Sequence, residues 1–198
     1  MGGDKEQVQR VQVAIALHYQ HSVQGVQAMA LMGLPNPSAA LVRAQVNSEL
    51  RKLLYTALWD QLMLSISRMH DTKKDLDGIP SILRLLRNDA IRGEVIAPGC
   101  AHYLTSANIK WHELKKNVQY RELRNLRNWT RAHLKTQEFL AKVVGGGANL
   151  TACANETFAV IEDLFLAQGG AGRGLAWHAE RWRSTGSDFW DALVQHFR

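Results

Sequence analysis

The chain has 198 residues, with 24 Lys and Arg against 18 Asp and Glu, a formal net charge of +6 and two cysteines. That length suits one compact domain spanning residues 1–198 and burying roughly 70% of its unfolded surface, so no metal or disulfide staple is required. Cys100 and Cys153 lie in unrelated segments without a CxxC or Cys/His cluster, which excludes the usual zinc and disulfide frameworks and implies reduced thiols.

No stretch reaches the roughly 18 consecutive apolar residues of a membrane span. The start, Met1-Gly2-Gly3-Asp4-Lys5-Glu6, lacks the apolar run of a signal peptide. A soluble cytoplasmic protein with no membrane partner is expected. The charge is also unevenly placed. Between Lys110 and Lys135 there are eight bases and two acids, and the rest of the chain holds sixteen of each. A basic stripe of that kind calls for an anionic partner, most simply a phosphate backbone.

Hydrophobic periodicity gives helices throughout and no alternating strand pattern. The first, near 4–32, aligns Val8, Val11, Ile15, Tyr19, Ser22, Val26 and Met29 on one face and ends at Gly33-Leu34-Pro35-Asn36-Pro37. His18 and His21 on it have the spacing of two metal ligands, but no third ligand is apparent, so no metal site is assigned. A second helix, near 39–69 with Ser38 as cap, carries Leu50, Leu53, Leu54, Leu58, Trp59, Leu62 and Ile66 and is expected to be a central core element. After the polar loop 71–78, a short helix near 80–91 begins at Pro80 and buries Ile82, Leu83, Leu85 and Leu86.

Beyond a turn around Gly93 and Pro98-Gly99, one long helical pattern runs from about Tyr103 to Val144 and is expected to stop at Gly145-Gly146-Gly147. The triglycine lacks the GxxxxGK[ST] pattern of a phosphate loop. A further helix near 150–167 should stop at Gln168-Gly169-Gly170, followed by two short helices near 174–184 and 188–197, the second capped by Ser187. Trp177, Trp182 and Trp190 are read as packing these last helices, with an aromatic partner surface as the alternative.

On an ideal helix of about 100° per residue, Arg121, Arg124, Asn128, Arg131 and Lys135 form one polar stripe opposite Trp111, Val118, Leu126, Trp129, His133 and Leu140. The stripe lacks the acids one turn away that normally balance a solvated face. Arg127-Asn128-Trp129-Thr130-Arg131-Ala132-His133 resembles the motif of the HEPN superfamily, an Arg usually followed by Asn, Asp or His, with four to six residues between it and a His. Ser67-Arg68-Met69-His70-Asp71, a polar loop and Ile79-Pro80-Ser81-Ile82-Leu83-Arg84-Leu85-Leu86 are similar to the AbiU-type abortive-infection branch, as is Leu123 to Leu134. The likeness covers about residues 45–140.

The resemblance implies an all-α, up-and-down helical bundle that dimerises with two Arg/His motifs facing one another. It implies a metal-independent endoribonuclease without cofactor, in a toxin–antitoxin or antiphage setting. It equally admits a non-catalytic RNA- or protein-binding module, or a structural bundle whose basic stripe meets an acidic antitoxin. For catalysis, His133 suits proton transfer and Arg127 suits the phosphorane charge, with Asn128 orienting one or the other. Lys115, Lys116, Arg121, Arg124, Arg131 and Lys135 would position an RNA backbone. Arg127 and His133 fall about 120° apart on the helix, so His133 is at the cleft if the apolar side is a dimer face and a core histidine if it is the bundle interior. An Arg68 to Asp71 ion pair bracing the loop is the expected role for that pair.

Overall fold

The computed structural model describes residues 2–33, 49–71, 77–117, 120 and 138–196. Among these, all regular structure is helical: α1 (Gly2–Leu31), α2 (Glu49–Met69), α3 (Ile79–Leu85), α4 (Asp89–Val95), α5 (Ala101–Lys116), α6 (Glu138–Ala167) and α7 (Leu175–His196). They pack in the manner of a helical bundle.

The hub is α1, which touches α2, α3, α4, α6 and α7. Its expected face is there, with Val11, Ile15, Ser22, Val26 and Met29 buried and Val8 and Tyr19 half-buried. Ala14, His18, Gly25, Ala28 and Met32 are buried as well. A single amphipathic stripe is too narrow for a helix surrounded this way. Gly25 lets α6 come close, because a Cβ there would lie 2.3 Å from the Phe158 ring.

The second helix is less central than its leucines suggest. Trp59, Leu62, Met63, Ile66 and Met69 are buried, but Leu53 is 66% and Leu64 54% exposed, so α2 faces the core on one side only. The single helix expected near 80–91 is two. Asn88 interrupts it, its side chain accepting from the Ala90 amide at 3.0 Å to cap α4. Gly93, expected in a turn, lies inside α4.

The long helix expected over 103–144 begins close to where it should, at Ala101, and is corrected in two places. α5 stops at Lys116, where Asn117 is extended with ψ 137°. Instead of ending a helix, Gly145-Gly146-Gly147 lies within the 30-residue α6. Three glycines cost about 3 kcal/mol relative to alanine. Extending a helix already anchored by Cys153, Ala154, Phe158, Val160, Ile161 and Leu164, all buried, carries no further nucleation cost. α6 packs most extensively against α5 and is also touched by α1.

The end of α6 falls where the glycines at 169–170 place it. Gly169 has φ +82°, its amide donates to Leu166 O at 3.0 Å, and the Gly170 amide reaches back to Phe165 O at 2.9 Å. This pairing closes a helix C-terminus in the left-handed conformation. The two short C-terminal helices are one, the 22-residue α7. Ser187 is therefore interior, not a cap. Gly186 allows the crossing with α1, since a Cβ there would lie 2.9 Å from Ala30 O and 3.2 Å from Leu31 Cα.

Candidate nucleic-acid interface

Arg121, Arg124, Arg127, Asn128, Arg131, His133 and Lys135 lie outside the described residues, as do Val118, Leu126 and Trp129. What can be described is the approach to that segment. α5 leads into it with Trp111 and Leu114 buried and Lys115 and Lys116 exposed. The two lysines sit in the last helical turn, where a cation complements the helix dipole.

Not every base in the rich segment is free for an anion. Lys110 Nζ is 2.7 Å from Asp163 Oδ2, joining α5 to a largely buried carboxylate on α6. Lys116 Nζ donates to Glu113 Oε1 at 2.8 Å, one turn back on the same helix. That hydrogen bond and the lysine charge hold the Glu113 carboxyl below its ordinary range. Among the described residues Lys115 has no such pairing and offers the less encumbered charge.

Tyr120, at the threshold of the basic segment, is anchored by an aromatic cluster. Its ring lies 5.0 Å from that of His70 and 5.8 Å edge-on from that of Trp111, and His70 meets Trp111 edge-on at 5.5 Å. The buried His70 is fixed from α6, with its Nε2 2.8 Å from Thr157 Oγ1, while the Thr157 hydroxyl donates to Cys153 O at 2.7 Å. The hydroxyl has one proton, so its oxygen accepts from His70 Nε2–H and sets the tautomer. Beside it, burial pushes the Cys153 thiol up to about 12, which suits packing and not nucleophilic chemistry.

No protein-family model, curated protein or solved structure matches the chain. The HEPN likeness accordingly rests on the sequence motifs alone.

Around the upstream motif, Asp71 is buried and its amide donates to Arg68 O at 3.3 Å, closing the end of α2. The Arg68 charge reaches α1, where it adds to burial in lowering the pKa of His18 and His21. His18 Nε2 donates to Asp77 O at 2.7 Å. With Asp77 also paired to Arg10, this histidine ties the chain at Asp77 to α1. Among the described residues no three His, Cys, Asp or Glu side chains come together as a metal set. No described helix is long and apolar enough to cross a membrane.

A second basic and aromatic group stands at α7, around Trp177, for which the sequence admits both packing and an aromatic partner surface. The guanidinium of Arg173 is 4.1 Å and that of Arg181 5.2 Å from the centre of the Trp177 ring. The spacing Arg-x3-Trp-x3-Arg, which sets the three side chains one turn apart, was the signal for it in the sequence. Close by, α6 and α7 diverge over α1 and leave a groove of about 300 Å³ floored by Val26 and Met29 and rimmed by Asn155 and Arg183.

Proposed function

We propose that the chain is a metal-independent endoribonuclease of the HEPN type, working without a cofactor in a dimer cleft, with a toxin–antitoxin or antiphage role in the cytoplasm. The observation that carries this reading is the confinement of the whole charge surplus to residues 110–135, the segment that also contains Arg127, Asn128 and His133. Its support in the fold is the exposure of Lys115 and Lys116 within that segment and the anchoring of Tyr120 on His70 and Trp111.

RNA carries its own nucleophile in the ribose 2′-OH. The protein needs to supply a proton acceptor, a proton donor and a cation for the phosphorane. In this reading His133 from each protomer provides the proton transfers and Arg127 grips the phosphate oxygens.

The test is cleavage of an oligoribonucleotide in EDTA. The expected products carry a 2′,3′-cyclic phosphate, and a substrate with 2′-deoxyribose at the scissile position remains intact. His133→Ala lowers the rate by about 10²–10⁴ while helical content and melting temperature stay near wild type. Retained activity in a folded His133→Ala protein removes the motif from the mechanism. RNA binding without cleavage leaves the non-catalytic module as the function.

A further inference from the structure

We propose that Arg173, Trp177 and Arg181 form a phosphate-binding site for single-stranded RNA, a second contact surface that extends the RNA-binding reading above to α7. The group lies at least 38 residues beyond the basic segment in sequence, taking 173 minus 135.

The argument begins with the backbone. Arg173 stands just ahead of α7, and its carbonyl accepts a hydrogen bond from Tyr19 Oη at 2.9 Å. Tyr19 is itself stacked flat on Phe165, 3.9 Å between centroids and 9° between planes. The Gly170 backbone passes so close to that Phe165 ring that a Cβ would lie 2.5 Å from it. The Leu175 amide is held by Glu162 Oε1 at 2.8 Å, and the Trp177 amide by Gly174 O at 3.0 Å. An exposed arginine at a helix start is thus given a fixed origin.

The side chains then set the chemistry. Stacking on indole holds a guanidinium through cation–π attraction and leaves its N–H edge directed outward. Here two guanidiniums share one indole, an arrangement whose mutual repulsion an anion relieves. Nearby carboxylates are already engaged: Glu180 by Arg183 at 2.9 Å and Glu162 by the start of α7. Among the described residues neither Arg173 nor Arg181 has a carboxylate partner. Two exposed, pre-placed forks with free donor edges match phosphate oxygens. The planar guanidiniums also offer a surface on which unpaired bases stack, which favours single-stranded RNA over a simple acidic peptide.

The test uses the full chain and a fluorescein-labelled oligouridylate, with affinity followed against salt. R173Q/R181Q is expected to weaken binding about tenfold and to flatten the log–log salt slope by about 1.4, two single-strand phosphate contacts. Trp177→Ala removes the platform but keeps both charges, so affinity falls with little change in slope, and Trp177→Phe restores part of it. Circular dichroism and melting temperature confirm that each variant is folded. Wild-type affinity and slope in folded R173Q/R181Q would overturn the site, as would polyglutamate competing as well as RNA at equal charge. Arg121→Glu/Arg124→Glu/Lys135→Glu separates the two readings. If only that triple variant loses RNA, the basic segment stands and the α7 site fails. If only R173Q/R181Q loses it, the α7 site stands and the basic segment is not the interface. An intact protein with no affinity for RNA at low salt overturns both.

Discussion

His70, just beyond the end of α2, and Thr157 on α6 are joined by a 2.8 Å hydrogen bond in which the threonine is the acceptor, because its own proton goes to the Cys153 carbonyl. Both residues are buried, so the imidazole N–H has no water to replace this partner. Thr157→Val keeps the volume and removes the acceptor. It should destabilise the protein by about 1–3 kcal/mol, the cost of a buried donor left unpaired. Thr157→Ser retains the oxygen and should be milder. Urea unfolding of the two variants measures the difference, and equal stability of Thr157→Val and wild type would show that the bond contributes nothing.

Acid should destabilise the fold through His18, because charging a buried imidazole is costly even though its bond to the Asp77 carbonyl favours the charged ring. Burial is the main cause that lowers the His18 pKa, and His21 is shifted the same way by burial and Arg68. A histidine whose folded pKa is depressed binds fewer protons than in the unfolded chain. The stability it preserves is therefore present above the unfolded value of about 6.5 and declines as pH falls from there toward the folded value. The slope per group is at most about 1.4 kcal/mol per pH unit, and less for the more exposed His21. His18→Gln keeps a donor for the Asp77 carbonyl without the titration. Denaturant midpoints from pH 7 to 5.5 should drop more steeply for wild type than for this variant, and parallel curves would exclude His18 as the source.

Two glycines within helices should respond in opposite directions to the same substitution. At Gly186 a Cβ meets the backbone of Ala30 and Leu31, at 2.9 and 3.2 Å, so Gly186→Ala has to push α7 off α1. A loss of about 1–3 kcal/mol is expected, despite alanine's better helix propensity. At Gly93 in α4 a Cβ meets nothing within 4 Å. Gly93→Ala should add roughly 0.5–1 kcal/mol by the propensity gain alone. Thermal melts of the pair, read against wild type, check both signs.

Much of the helical order was legible in the residues, and the failures have physical causes. The core face of α1 and the stop at Gly169 follow from periodicity and from a conformation that glycine adopts freely. Gly145-Gly146-Gly147 is expected to stop a helix, and Ser187 to cap a new one, because propensity is a local quantity, whereas tertiary packing decides whether a helix continues through such residues. Asn88 is the converse case: Leu85 and Leu86 kept the apolar pattern going, yet an Asn side chain took the Ala90 amide and began a new helix. The motif residues Arg127, Asn128 and His133 lie outside the described residues, so their geometry adds nothing to the reading of the sequence. The Arg-x3-Trp-x3-Arg spacing on α7 was visible, but nothing local in it said that the nearby glutamates were already engaged elsewhere.

The central position of α1 has a consequence for how the chain matures during synthesis. Tyr19 finds its hydrogen-bond partner 154 residues later, at Arg173. At translation rates of 5–20 residues per second, the first helix waits roughly eight to thirty seconds before that partner has been made. During the wait, side chains such as Val26, Met29 and Met32, destined for the interior, lack part of their final cover. Closure of such distant contacts is slow compared with local helix formation, so part of the α1 face stays uncovered until α7 has emerged.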